Sequence, residues 1–401
     1  MNNFEKTFTL VLTETKISTS LIEFLKIIEK SQSLLISLES RTARDCEKRI
    51  EYLITVFTPN SEETIDLIKA SYVEKRFDYK IIYSKEKGTH EDLWFPRRKK
   101  DLEYVANAVI HFGPDLDIEH PGFRDAEYRE RRMMFAELAL NYKYGEMIPK
   151  VVFTDVENKT WKAVFQGLVS AHRDHACREY LDRFDELTRE VDFCQEYVPQ
   201  LEDISNYLKK KTNFQLWPVA GYLSPKNFLF GLAHRVFFCT QYVRHSIDPA
   251  YTPEPDTIHE LMGHAPLLAD VEFAELSHQI GLSVIGLSDE EAKKLATIYF
   301  FTVEFGLLSQ NGQLKAYGAG LLSSRAELLH AVSDKANTKE FNTEGIINEE
   351  CLVTCYQNAY YKIDTFTQAK EKLKEYISKL NRSFLVGYDQ ETIELTPIIK
   401  D

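Results

Sequence analysis

The chain has 401 residues, 44% of them hydrophobic and 28% charged, more than one hydrophobic core usually supports, which predicts two soluble domains. Acidic residues outnumber basic ones by 62 to 49, a net charge of −13, so the basic face that nucleic-acid binding needs is missing and that partner is excluded. The first apolar stretch, FTLVL, is too short to span a membrane or act as a secretion signal, so no membrane partner and a cytoplasmic location are expected. The six cysteines lack C-x-x-C spacing and read as buried thiols of a reducing compartment.

Residues 6 to 83 read as strand, helix, strand, strand, helix, strand, from KTFTLVLT through SEETIDLIKASY to DYKIIY. That order is a split βαβ, ferredoxin-like unit. Asn60 and Glu63 form a variant capping box for the second helix. SKEKGTHED, residues 84 to 92, is polar and aperiodic and reads as a linker. The run Arg97 to Lys100 that follows reads as a solvated face. Long amphipathic stretches such as AEYRERRMMFAELALNYKYG and TQAKEKLKEYISKL then predict a mostly helical domain. FLVGYDQETIELTP alternates about a polar turn and predicts a two-stranded arm. The expected fold class is α+β, with a ferredoxin-like domain at 1–88, a helical domain at 92–384 and a β-arm at 385–401.

PDTIHELMGHAP is a stretched relative of the zinc-peptidase signature, with His259 and His264 five apart instead of four. On an unbroken helix that spacing turns the second imidazole about 140° from the first. Thr252 as N-cap, Pro253 at the first helical position and Gly263 as terminator predict a helix that ends before His264, letting the chain bend both rings inward. Glu304 is the candidate third ligand. Ser288 and Glu291 form the capping box of its helix, and Phe300, Phe301, Leu307 and Leu308 surround it one turn away on either side. A carboxylate so placed must meet a cation, either a metal or an arginine in a plain salt bridge. Two histidines and one carboxylate leave open positions that suit ferrous iron handling dioxygen; a zinc hydrolase on His259 and His264 is the alternative from another class. The rival cluster in AHRDHAC (His172, His175, Cys177) reads as surface. AYGAGLLSS, with Gly318 and Gly320, is a strand end that permits close backbone approach rather than a nucleotide loop.

With these residues in place, the helical domain resembles the pterin-dependent aromatic amino acid hydroxylases along nearly its whole length. WFPRRKKDLEYVAN, HPGFRDAEYRERR, IPKVVFTDVENKTW, PVAGYLSPKNFLFGLAHRVFFCTQYVRH, YTPEPDTIHELMGHAPLLAD and LATIYFFTVEFGL carry the resemblance. It implies iron, Fe(2+), on His259, His264 and Glu304, and a tetrahydropterin on Phe228, Leu223, Ser224, Glu260 and Ala296. It further implies a substrate carboxylate on Arg244, Thr252 and Ser323, and an aromatic ring packed on Phe300 and Pro255. Asp256, Tyr299 and Glu327 would support the site and Tyr251 would line its entrance. His234 and Phe238 depart from the family's phenylalanine and histidine, and Pro225 from a common serine beside the cofactor loop. The first domain, with LLISLESRTAR, resembles the regulatory ACT module of phenylalanine hydroxylases, although KISTS replaces its usual glycine-containing contact.

Phe300 matches tryptophan hydroxylases in this family, whereas Val353 matches phenylalanine hydroxylases. The expectation is L-phenylalanine, O2 and pterin as small-molecule partners, L-tryptophan as a side substrate, and tryptophan hydroxylase as the alternative. Family members end in a helix that builds tetramers; stopping at TPIIKD, this chain is expected to form a homo-oligomer, a dimer as it stands and a tetramer if that helix is restored.

Overall fold

The computed structural model describes residues 6–14, 19–31, 33–42, 50–58, 78–86, 95–250, 252–353, 355–380, 382, 385–388 and 394–398. They fall into two compact units, Met1–Phe95 and Pro96–Lys400.

In the first unit β1 (Lys6–Glu14), α1 (Thr19–Lys30), β2 (Leu34–Thr42), β3 (Ile50–Thr58) and β4 (Asp78–Glu86) form one antiparallel sheet of order β2-β3-β1-β4 with its helix. Alternate residues of β3, namely Tyr52, Ile54 and Val56, pack with Phe24 and Ile28, four apart on α1. Periods of two on the strand and four on the helix thus meet in one small core. The second helix expected here, over SEETIDLIKASY, lies outside the described residues, as do Asn60 and Glu63.

The second unit is mostly helical, with small sheets. Its longer helices are α2 (Ala126–Asn141), α3 (Asp155–His175), α4 (Arg178–Glu190), α5 (Leu201–Thr212), α6 (Pro225–Ala233), α7 (Val271–Val284), α8 (Asp289–Tyr299) and α9 (Phe366–Lys379). The strands are β5 (Val109–Phe112), β6 (Gln215–Pro218), β7 (Gly221–Leu223), β8 (Val236–Cys239), β9 (Leu307–Gln310), β10 (Gln313–Ala316), β11 (Thr338–Glu340), β12 (Tyr360–Ile363), β13 (Leu385–Tyr388) and β14 (Leu395–Ile398). β9 to β12 make one sheet, order β10-β9-β12-β11, while β5 pairs β7, β6 pairs β8 and β13 pairs β14. Local rules set the helix starts: Thr154 with Glu157 and Ser288 with Glu291 close reciprocal capping boxes on α3 and α8. The β13–β14 arm is antiparallel, as its alternation predicts, and Leu395 donates its N–H to the Arg97 carbonyl at 2.8 Å.

Four readings are corrected. Lys99, in the run read as solvated, is only 6% exposed. His172 and Cys177, read as surface, are buried: the charges at Arg173 and Asp174 dominate the local pattern, but they point outward from the same helix end. Conversely, Cys351 and Cys355 are exposed thiols rather than buried ones. Leu307 and Leu308 belong to β9, so they do not continue the helix of Glu304.

Candidate metal centre

The histidine segment begins at Asp256, not Thr252. Asp256 Oδ1 accepts the N–H of His259 at 3.1 Å, the N-cap bond, whereas the Thr252 hydroxyl is turned to the Glu254 carbonyl at 2.7 Å. The helix does not stop at Gly263 either. It widens into a π turn over His259–His264, in which the Ala265 N–H reaches back five residues to Glu260, and continues through Ala265–Leu268. Pro266 explains the widening: it cannot donate to the Met262 carbonyl four residues back, and its ring would clash with that oxygen in α register. In a turn closed by i→i+5 bonds, residues five apart stack on one side, so the stretched spacing aligns the two imidazoles. Gly263 serves a different need. A Cβ there would lie 2.7 Å from the Ala319 carbonyl oxygen and 2.9 Å from its methyl, so glycine lets the AYGAGLLSS segment close over the turn.

Glu304 sits in a second π turn, Phe300–Glu304, at the end of α8, with the Phe305 N–H on the Phe300 carbonyl at 2.9 Å. Here too a glycine permits approach, since a Cβ on Gly318 would come 2.4 Å from the Glu304 carbonyl oxygen. Single-turn π widenings recur at functional sites because they re-aim side chains without ending the helix.

The two turns bring three donors together. His264 Nε2 lies 3.1 Å from His259 Nε2 and 3.1 Å from Glu304 Oε1, and His259 Nε2 lies 3.4 Å from Glu304 Oε2. Nitrogen and oxygen donors at roughly 2.0–2.2 Å from one ion stand about 3 to 3.5 Å apart, so the spacing suits a single metal. His264 is buried, and His259 and Glu304 keep 12% and 15% of their side chains exposed, leaving one open side. Burial pushes the Glu304 carboxyl up, but the two imidazoles and the hydrogen bonds from His264 and Tyr299 outweigh it and hold it at about 2. Burial holds His259 down, at about 4, against the pull of Glu304. An ionised Glu304 beside a neutral His259 is a form that can bind metal.

Supporting bonds orient two of the three candidate ligands, His259 and Glu304. The Ser323 hydroxyl lies 2.8 Å from His259 Nδ1 and 2.8 Å from the Ala319 carbonyl. Because it donates to that carbonyl, it accepts from Nδ1–H, which leaves Nε2 as the free lone pair facing the donors. Tyr299 donates to Glu304 Oε1 at 3.0 Å.

Of the residues expected around this centre, Arg244 and Asp256 form a buried fork: Arg244 Nε and Nη2 donate to the two carboxylate oxygens at 3.0 and 2.8 Å. Glu260 is turned to Thr240, whose N–H and hydroxyl reach its Oε1 at 3.1 and 3.3 Å, and burial pushes its carboxyl well above the usual range. Phe228 packs edge-on against Tyr299, centroids 5.3 Å apart, and Phe300 lies tilted against Phe305 at 4.6 Å. Leu223 ends β7, Ser224 caps α6 through the Asn227 N–H with Pro225 in its first turn, and Ala296 lies on α8 with its carbonyl toward the Phe300 N–H. The Pro255 carbonyl accepts from Thr240 at 3.2 Å, and Glu327 accepts from the Tyr360 hydroxyl at 3.0 Å. Val353 stands apart, 67% exposed on a loop, and Tyr251 lies outside the described residues. His234 and Phe238 are both buried in the core, His234 with its Nε2 2.7 Å from the Pro96 carbonyl. Sequence reasoning passed over Thr240 and over Tyr222, the residue before Leu223, whose phenol is raised by burial and by Glu254 and Glu260.

Within a mostly helical frame, two histidines and a carboxylate so placed form a candidate site for a single metal ion. The biopterin-dependent aromatic amino acid hydroxylase family matches residues 93–400, and the chain belongs to it. It is 44% identical over 392 residues to the tryptophan 5-hydroxylase of Xenopus laevis, covering 95% of this chain and 80% of that one. It is 48% identical over 308 residues to the tyrosine 3-monooxygenase of Canis lupus familiaris, covering 77% and 62%. Among solved structures, the phenylalanine hydroxylase of Colwellia psychrerythraea aligns with a TM-score of 0.54 at 28% identity over 57% of this chain and 88% of that one. The Chromobacterium violaceum enzyme with iron(III) and 7,8-dihydrobiopterin aligns with 0.52 at 28% over 56% and 81%.

Proposed function

We propose that this protein is an iron- and tetrahydropterin-dependent monooxygenase that hydroxylates L-tryptophan, with L-phenylalanine as a second substrate. The observation that carries the metal reading is the 3.1 to 3.4 Å spacing of His259, His264 and Glu304. The order of substrates departs from the sequence expectation for a physical reason. The phenylalanine marker, Val353, is exposed, while the tryptophan marker, Phe300, lies in the ligand-bearing turn. The similarity to a tryptophan 5-hydroxylase over 95% of the chain supports the same order. Family membership leaves the zinc hydrolase without support.

When bound, iron and pterin supply the activation of dioxygen and the electrons the substrate ring does not give. The chain's own residues do the rest. Arg244 spends Nε and Nη2 on Asp256, which fixes the guanidinium plane and leaves Nη1, beside the Pro249 carbonyl at 3.4 Å, to meet a substrate carboxylate with Thr252. Phe300 and Pro255 pack the ring, and Phe228 offers a face to the pterin with Leu223, Ser224, Ala296 and Glu260 around it. These apolar walls exclude water from the reacting centre. Ser323 orients His259 rather than meeting substrate first.

The N-terminal sheet is the regulatory, ACT-like part of this reading, and the β13–β14 arm is where a dimer would form. Phenylalanine titrated into the full chain tests the first, and sedimentation the second. Among the described residues no helix is long and apolar enough to cross a membrane.

Aerobic turnover of tryptophan, phenylalanine and tyrosine with ferrous iron and tetrahydrobiopterin tests the activity. Tryptophan should exceed phenylalanine, by a margin within the ~1–3 kcal/mol that apolar pockets discriminate. Tyrosine as the fastest substrate would overturn the assignment.

A further inference from the structure

Met262 lies inside the metal turn, between His259 and His264, and its carbonyl is the one that Pro266 leaves without its α-helical donor. The hydroxyl of Tyr180, on α4, donates to that carbonyl at 2.7 Å. Tyr180 is fully buried, and its ring stands edge-on to His172 of α3 with centroids 4.9 Å apart. His172 Nδ1 is 3.2 Å from the same hydroxyl, and Nε2 is 2.7 Å from the Leu322 carbonyl.

The protons can be placed. A carbonyl only accepts, so His172 carries its hydrogen on Nε2 for Leu322. Burial keeps the ring neutral, lowering it to about 4. Tyr180 has one hydrogen, which goes to the shorter contact at Met262. Leu322 in turn precedes Ser323, the residue that holds His259. Two side chains from helices outside the ligand set therefore end on two backbone carbonyls, one within the metal turn and one beside the serine that orients its first ligand.

We propose that Tyr180, packed edge-on against the His172 ring, is a positioning residue of the metal centre: its hydroxyl supplies the hydrogen bond that Pro266 cannot, and so holds the π turn in the register that aligns His259 with His264. The inference rests on the reading of His259, His264 and Glu304 as a metal site. Without the hydroxyl, the buried Met262 carbonyl loses this donor, and Pro266 has no N–H to replace it. The turn can relieve this only by shifting that peptide, which rotates one histidine relative to the other.

The test compares Tyr180→Phe with Tyr142→Phe in the full chain. Tyr142 is a buried tyrosine, 8% exposed against 0% for Tyr180, whose hydroxyl also donates to a backbone carbonyl, that of Glu146 at 3.2 Å, but away from the metal turn. Cobalt(II) is the probe, its affinity read by chelator competition and its site by its visible absorption. Tyr180→Phe should bind cobalt roughly tenfold more weakly, the usual loss for a supporting partner, and with an altered spectrum. Amides 259–268 of the metal-free chain should also exchange faster with deuterium. Tyr142→Phe should change none of these. Cobalt affinity within twofold of the parent, with unchanged exchange in a folded Tyr180→Phe, overturns the proposal. If that variant does not fold, His172→Leu, which keeps the hydroxyl but removes its neighbour, should weaken cobalt about threefold, and no change there overturns it equally. Should His264→Ala bind cobalt as tightly as the parent, the metal reading itself fails, and the exchange of the metal-free turn still decides whether Tyr180 holds it.

Discussion

Ser323 Oγ lies 2.8 Å from His259 Nδ1, bridging the short helix Ala319–Leu322 to the first residue of the metal turn. The bond fixes which nitrogen of His259 is protonated and therefore which one can bind a metal. Ser323→Ala removes it while leaving the backbone intact. We expect metal affinity to fall by roughly 10- to 100-fold, the range for an orienting partner of a ligand histidine. Isothermal titration with cobalt(II) checks this, and an unchanged affinity would mean that Ser323 does not orient the ring.

Much of this centre could be read from residue type alone. Histidine, histidine and glutamate in apolar surroundings mark a candidate metal site, whose three donors the fold brings together, and the Ser288–Glu291 capping box fixed the start of α8 because capping is a local rule. The shape of the metal turn was misread because the decisive residue was Pro266, acting on the carbonyl four positions back, and not Gly263, whose role depends on Ala319, fifty-six positions on in the chain. His172 was misread for a similar reason. Its partners, Leu322 and Tyr180, come from other segments, and no local period reveals them.

Gly263→Ala tests the close approach. The added methyl would meet the Ala319 carbonyl oxygen at 2.7 Å and its side chain at 2.9 Å, and backbone cannot swing away as a flexible side chain can. Overpacking of this kind costs about 1–3 kcal/mol, and the strain falls between His259 and Ser323. We expect a lower melting temperature together with weakened metal binding. A variant as stable as the parent, with full affinity, would show that the segment has room.

Asp256 is fully buried and takes both the backbone N–H and the fork of Arg244 while capping the histidine helix. Removing it leaves a buried guanidinium unpaired, which costs about 3–5 kcal/mol. Asp256→Ala is therefore expected to be strongly destabilised in urea unfolding. Arg244→Lys keeps the charge but loses the fork; a higher KM for the amino acid, with little change in KM for the pterin, is the expected kinetic signature. Equal increases in both would remove Arg244 from the role of carboxylate partner.

Lys99 is the buried ammonium of the run that reads as solvated. Burial, followed by repulsion from Lys209 and Arg235, lowers it from 10.5 to about 8, so the fold resists the charged form. Between pH 8 and 10.5 the unfolded chain binds more protons than the folded one, so stability rises with pH across that window; below pH 8 the full cost is present. At ~1.4 kcal/mol per tenfold change in proton affinity, that cost is on the order of 3–4 kcal/mol. Lys99→Met keeps the length of the side chain and removes the charge. At pH 7 it should unfold at a higher urea concentration than the parent, and the gain should shrink steadily as the pH is raised toward 10. A gain that stays constant with pH would mean that packing, rather than the buried charge, separates the two proteins.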